Sequence, residues 1–315
     1  LKLASFHHDN GDRIGVLKND DELAVIDSVG SMTDLIRLGN YAVEHVDHAL
    51  ASGRLIARDD VRWLPPIRRP GKICGVAMNN SASNERKISA PDHPAFFLKP
   101  SSCLVGHNQP IRVRPYYGSV HPEPELAIVI GRKARDVDVG DATAHVFGYT
   151  IFNDITGNGM RADDLFHYWA LYSDDSNPDE LQRREQHLSY AARYKGTDTF
   201  GCLGPVITTV DEISDPDNLD VTCKVGAETI AEDSTRYYNY KVAELISYIS
   251  QFLTLEPGDI VSCGTAFKPS KNRKSIHHAN LQKVAGPVEI TIAGLGTLRN
   301  PVEIENRAIG RWRLS

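Results

Sequence analysis

Three prolines within eight residues, Trp63-Leu-Pro-Pro-Ile-Arg-Arg-Pro70, deny regular structure to the chain at that point. Proline has no backbone N–H and drives the residue before it out of the helical region, so neither a helix nor an interior strand can run through this segment. The break divides the chain into an expected small N-terminal α+β domain, 1–68, and a larger domain, 69–315. In the first part, residues 13–17 and 22–26 read as a hairpin across the polar turn Lys18-Asn-Asp-Asp21. A helical stretch is expected from about 32 to 52.

Beyond Lys72 short β-rich runs recur between turn residues: 73–76, 95–98, 126–130, 147–152, 206–209, 219–225, 260–263 and 288–292. Two helical segments are expected among them. One covers 240–252, where Val242, Leu245, Ile246, Ile249 and Phe252 follow helical spacing. The other is the polar stretch 161–193, split at Asp174-Asp-Ser-Asn-Pro178, where Asn177 can cap and Pro178 can open a helix. Strands outnumber helices and do not alternate with them, which favours a mixed α/β, β-rich, mostly antiparallel architecture over a doubly wound sheet.

Charge and composition exclude several functions. With 35 basic and 41 acidic side chains the formal charge is -6, the wrong sign for a nucleic-acid surface. The basic run from Lys268 to Lys274 contains Pro269, Ser270 and Asn272 and reads as a loop that meets an anionic substrate. The five cysteines are scattered, so neither a disulfide framework nor a cysteine metal motif is expected. No apolar run approaches the roughly 20 residues of a membrane span, and the first residues lack a signal-peptide core. The expected address is cytoplasmic, with no nucleic-acid and no membrane partner.

The most chemical segment is Val120-His-Pro-Glu123-Pro-Glu125-Leu-Ala-Ile-Val-Ile130. Carboxylates two residues apart on a strand share a face, and side by side they repel unless a positive charge lies between them. A hard cation such as Mg²⁺, Mn²⁺ or Ca²⁺ would resolve the conflict. Asp154, closing the run Phe147-Gly-Tyr-Thr-Ile-Phe-Asn153, is a third candidate ligand. The alternative is that the two glutamates lie on an exposed edge and Asp154 caps a turn. Lys195 can set an ammonium against a developing oxyanion or be a solvated loop lysine. Gly264 and Thr265 can bind a substrate carboxylate or form an ordinary turn. His277 and His278, as neighbours on a strand, would point oppositely, leaving one as a candidate base. Cys263 has no local partner that would make it a nucleophile. There is no nucleophile elbow, phosphate loop or paired-histidine zinc motif.

Taken in order, these segments resemble the fumarylacetoacetate hydrolase superfamily. The resemblance runs through Lys72-Ile-Cys-Gly-Val76, Phe96-Phe-Leu-Lys-Pro100, Glu123-Pro-Glu-Leu-Ala-Ile-Val-Ile-Gly-Arg132, Phe147 to Asp154, and Lys195-Gly-Thr-Asp-Thr-Phe200. It continues through Leu203-Gly-Pro205, Thr254-Leu-Glu-Pro-Gly-Asp259, Cys263-Gly-Thr265 and Gly294-Leu-Gly-Thr-Leu-Arg-Asn300. It implies a β-roll catalytic domain with a small N-terminal domain, a homodimer, and Mg²⁺ or Mn²⁺ on Glu123, Glu125 and Asp154. It further implies that Lys195 serves the substrate oxyanion and that Thr265 helps hold the substrate carboxylate. A metal on three carboxylates keeps positions open for a small-molecule 2-oxo acid.

The departures concern the reaction. Hydrolytic members carry Tyr-x-x-His-x-x-Glu after the first strand, whose His/Glu dyad activates water. Here the stretch is Ala77-Met-Asn-Asn-Ser81-Ala-Ser-Asn84-Glu85-Arg86, without histidine and with Glu85 one place off. Water activation is either lost or rebuilt from Glu85, His121, or one of His277 and His278. Where the family has Arg and Gln on one helical turn, this chain offers Asn158 and Arg161 as substrate-binding candidates. Between Asp154 and Lys195 it carries an insertion with Tyr168, Trp169 and Tyr172, expected to form a lid or subunit contact. The leading expectation is hydrolysis of a C–C bond in an acylpyruvate-like 2-oxo acid of aromatic catabolism. The second is a metal-dependent lyase or isomerase (decarboxylase, dehydratase or tautomerase), and the third a non-catalytic metal-binding homologue.

Overall fold

The computed structural model describes residues 1–268 and 276–313. Its framework is one large, mostly antiparallel sheet. In spatial order the strands are Leu55–Ala57, Glu22–Val25, Gly11–Leu17, Lys2–His8, Gly201–Thr209, Val146–Asp154, Pro124–Ile130, Ile260–Ser262, Ile73–Ala77 and Ala95–Lys99. The sheet has two free ends and does not close into a barrel, so the architecture is the mixed, strand-rich one expected. The N-terminal strands join it through Leu3 opposite Ile207.

The centre of the sheet is where the apolar runs are longest. Pro124–Ile130 is buried throughout because both faces are covered. Leu126, Ile128 and Ile130 face the larger core, against Val242, Leu245, Ile246 and Ile249 of the helix Val242–Phe252. Ala127 and Val129 face a second core with Phe152, Leu203, Ile207, Leu35 and Ile36. Glu125 falls on this second parity, two residues before Ala127, and is therefore carried into the interior.

A separate antiparallel sheet of Glu228–Ser234, Asp220–Val225, Val288–Ile292 and Gly296–Asn300 backs the larger core. Near the N-terminus the expected helical stretch is two helices, Met32–Arg37 and Ala42–Ser52, divided where Gly39 adopts a φ of 57°.

The segment 161–193 is a correction. Only Asn158–Asp163 and Ala192–Gly196 are helical; between them Leu165–Ser173 and Leu181–Ser189 form an antiparallel ribbon. Phe166, Tyr168, Trp169 and Tyr172 favour the extended chain. Asp174 accepts the Ser176 N–H at 2.8 Å, so Asp174-Asp-Ser-Asn-Pro178 closes a turn instead of opening a helix.

Candidate metal centre and its pocket

Glu123, Glu125 and Asp154 converge, each offering an oxygen within 4.8 Å of the other two. Strand register brings them together. Glu125 pairs with Phe152, and the Asp154 N–H donates to the Glu123 carbonyl at 3.0 Å across the same ladder. Pro124 begins its strand, where a missing donor costs least, yet the strand is interior; the exposed-edge alternative for the glutamates is not what the chain adopts. Glu125 and Asp154 are each 1% exposed.

Two buried carboxylates and a half-buried one need compensation, and two lysines provide part of it. Lys195 Nζ lies 2.7 Å from Glu123 Oε2 and 2.6 Å from Asp154 Oδ2. Burial alone would lower the Lys195 pKa, but Asp154, Glu123 and Glu125 outweigh it and raise it above the usual lysine value. Burial likewise favours neutral Glu123, yet Lys195 and the hydrogen bond from His121 hold it well below the carboxylate range. For Glu125 the attraction of Lys195 and the hydrogen bond from Ser262 are outweighed. Burial, then Asp154 and Glu123, push it up to about 8. Its oxygens accept from Ser262 Oγ, from Gly264 N at 3.2 Å and from Thr265 Oγ1 at 3.3 Å. Gly264 is required there: its φ is 97°, and a Cβ would stand 2.9 Å from Asn79 Cβ.

Three carboxylates against two ammonium groups leave one negative charge short of balance, and Glu125 is where that deficit shows. An all-oxygen donor set with residual negative charge fits a hard divalent cation, Mg²⁺ or Mn²⁺.

Glu123 and Lys195 line a cavity of about 310 Å³ that also takes in Thr265, Arg86, Arg161 and His277. Not all the expected residues come to it. Glu85 is exposed on the 3₁₀ turn Ser81–Arg86 and stands outside the lining, whereas its neighbour Arg86 is part of it. Asn158 faces a second cavity beside the ribbon, with Arg161 shared between the two. His277 and His278 lie on a 3₁₀ turn, Ile276–His278, not a strand; His277 reaches the cavity and His278 does not. Of the basic run, Lys268 is exposed, and 269–274 lie outside the described residues.

Sequence reasoning missed Lys99, although its segment was in view. It ends the strand Ala95–Lys99 with its side chain fully buried, and its Nζ lies 2.5 Å from Asp154 Oδ1 and 3.1 Å from the Phe200 carbonyl. His121 is fully buried too, with Nε2 3.2 Å from Glu123 Oε1 and its ring edge-on to His277 at 4.4 Å. Asn79 pins the loop after Ile73–Ala77, donating to the carbonyls of Cys263 at 2.8 Å and Tyr240 at 3.0 Å.

The model of the fumarylacetoacetate (FAA) hydrolase C-terminal region matches residues 72–303, most of the chain and all of the acidic centre. The chain belongs to the fumarylacetoacetate hydrolase family. Among relatives in this family, the oxaloacetate tautomerase fahd2, mitochondrial, of Xenopus laevis is 31% identical over 273 residues, covering 86% of this chain and 78% of its own. The human oxaloacetate tautomerase FAHD2A, mitochondrial, is 31% identical over 75% of this chain and 68% of its own. Among solved structures, the maleylpyruvate hydrolase of Sphingobium sp. SYK-6, in complex with manganese (II) ion and pyruvate, superposes with a TM-score of 0.73 at 27% identity. It covers 96% of this chain and 99% of that one. The 5-carboxymethyl-2-hydroxymuconate delta-isomerase of Mycobacterium smegmatis gives 0.69 at 27% identity over 97% and 100%. Family members thus bear names from hydrolysis and from isomerisation. The relatives named as mitochondrial lend no support to a cytoplasmic address, and no helix among the described residues is long and apolar enough to cross a membrane.

Proposed function

We propose that this chain is a divalent-metal-dependent tautomerase or lyase of a dianionic 2-oxo acid, oxaloacetate being the first substrate to offer. One observation carries the preference over hydrolysis. The loop after Ile73–Ala77 brings Asn79, Asn80, Ser83 and Arg86 to the cavity but no histidine and no carboxylate, Glu85 being exposed and outside the lining. Enolisation needs charge stabilisation and a proton acceptor, but not an activated water.

Glu123, Glu125 and Asp154 would hold Mg²⁺ or Mn²⁺. When bound, such a cation supplies Lewis-acid charge to the carboxylate and keto oxygens of a 2-oxo acid. The rest falls to the chain itself. Lys195, kept protonated by its carboxylate neighbours, directs an ammonium into the cavity where an enolate oxygen gathers charge. Thr265 offers a hydroxyl to the substrate carboxylate. Arg86 and Arg161, both in the lining, favour a second anionic group on the substrate.

Hydrolysis of an acylpyruvate remains the second reading. His121 and His277 meet edge-on beside Glu123, so an imidazole base is within the cavity. The decisive experiment offers the Mn²⁺-loaded protein oxaloacetate and acetylpyruvate separately, following enol absorbance and products by NMR, with a chelator control. Metal-dependent enol–keto exchange or carbon dioxide release, with acetylpyruvate intact, is the expected result. Acetate and pyruvate formed from acetylpyruvate would overturn it in favour of hydrolysis. The homodimer implied by the resemblance draws support from the exposed Leu165, Trp169 and Leu171 of the ribbon, and light scattering checks it.

A further inference from the structure

The ribbon 165–189 carries a second set of metal donors, of a different chemical kind from the acidic centre. In its register His167 stands directly opposite His187, and Trp169 opposite Glu185. Residues two apart on a strand share a face, so Glu185 and His187 lie side by side with His167 facing them. The two imidazoles stack with centroids 4.2 Å apart and planes 11° from parallel. His167 Nε2 is hydrogen-bonded to Glu185 Oε1, and the three residues each place a ligand atom within 4.8 Å of the other two.

We propose that His167, Glu185 and His187 bind a transition-metal ion of the Zn²⁺ class and so clip the two strands of the ribbon together. Two imidazoles and a carboxylate are borderline donors that suit Zn²⁺, Ni²⁺ or Cu²⁺, whereas the all-carboxylate centre suits Mg²⁺ or Mn²⁺. A tetrahedral Zn²⁺ at about 2.0–2.2 Å from each donor requires donors roughly 3.3–3.6 Å apart. The hydrogen-bonded His167–Glu185 pair therefore opens and the stacked imidazoles re-aim toward a shared point, which exposed side chains reach by turning about their χ angles. Three protein donors leave a fourth position for water.

The ribbon has a physical use for such a clip. It pairs with no third strand among the described residues, and its residues are exposed or half-buried. An isolated two-stranded hairpin is marginal in water, held here by pairs such as Tyr168 with Gln186 and Arg184 over the Tyr172 ring. An ion taking one donor from Leu165–Ser173 and two from Leu181–Ser189 adds a cross-link at the base of the ribbon. His187 also lines the second cavity, one wall of which, Arg161 and Tyr194, belongs to the candidate active pocket as well.

The test titrates ZnCl₂ into the full-length protein saturated with Mg²⁺, by calorimetry, for wild type, Glu185→Gln and the double variant His167→Ala/His187→Ala. All three positions are exposed, and circular dichroism confirms that the variants fold. Wild type is expected to bind one more equivalent of Zn²⁺ than the double variant. Glu185→Gln should weaken that equivalent by at least the roughly tenfold that loss of a supporting contact costs. Zn²⁺ should also slow proteolytic cleavage at the turn 174–180 in wild type and not in the double variant. Equal stoichiometry in wild type and double variant overturns the site. An extra equivalent without slower cleavage overturns the clip.

Discussion

Lys99 and Asp154 form an ion pair closed to solvent, Nζ to Oδ1 2.5 Å, with side chains 0% and 2% exposed. The other oxygen of Asp154 belongs to Lys195, so one carboxylate is held between two ammonium groups. Lys99 does not line the cavity whereas Lys195 does, so Lys99 fixes Asp154 in orientation from behind. Removing one partner of a buried pair costs about 3–5 kcal/mol, because the remaining charge is stranded. Lys99→Met is expected to lower unfolding free energy toward the bottom of that range, Lys195 retaining part of the compensation. Urea unfolding measures the loss, and Mn²⁺ titration of the folded fraction should show weakened binding.

Glu125→Gln should act in the opposite direction on stability. The glutamate is the carboxylate that the cluster cannot afford to ionise without a cation, and an amide of the same shape removes that repulsion. The metal-free variant is expected to melt at or above wild type. It should also lose the stabilisation that Mn²⁺ confers on wild type, and turnover should fall by at least about tenfold, the low end of what losing even a supporting contact to a metal site costs. Thermal melts with and without Mn²⁺ separate the two effects. A variant with unchanged turnover in saturating metal would remove Glu125 from the centre.

What the sequence made legible follows from how local each signal is. The run 126–130 reads as a strand because it is short, apolar and bounded by turn residues; that it has no polar residue to offer either face is why Leu126 and Ala127 enter different cores. The two-residue spacing of Glu123 and Glu125, with Asp154 closing the neighbouring apolar run, raised the acidic centre as one of two readings, and the family resemblance implied it. Lys99 was illegible for the converse reason: a single lysine after an apolar strand gives no sign of the carboxylate 55 residues away that it meets. The ribbon failed for another reason. A capping asparagine followed by proline is as compatible with a turn as with a helix start, and the aromatic residues of 166–172 should have decided for the strand.

His277 supplies a pH dependence. Burial, then the neighbouring His121, lower its pKa to about 4; Glu123 opposes the shift, and Arg86 and Arg161 add to it. Its unfolded value is near 6.5, so between about 4 and 6.5 the unfolded chain binds more protons and stability rises with pH. The contribution is complete above 6.5 and is lost as pH falls through that window. His277→Gln should flatten stability across pH 4.5–6.5 relative to wild type, read by urea midpoints at several pH values. The His277 imidazole resonance in wild type should titrate near 4, and a midpoint near 6.5 would contradict the packing against His121.

Arg161 tests the substrate class. It lines the cavity from the helix Asn158–Asp163, its guanidinium lies 6.0 Å from the Tyr194 ring centroid, and the loop 77–86 contributes no carboxylate to the same lining. A hydrogen bond to a charged group is worth about 1.5–3 kcal/mol, so Arg161→Ala should lower kcat/KM at least about tenfold for a 2-oxo dicarboxylate. A 2-oxo monocarboxylate has nothing to offer the guanidinium and should be little affected. Because the contact is to the second anionic group and not to the reacting 2-oxo end, the loss should fall on KM rather than kcat, the pattern of binding that is equal in ground and transition states. Equal losses for both substrates would mean that Arg161 holds the shared carboxylate instead, and that the second anionic group belongs to Arg86.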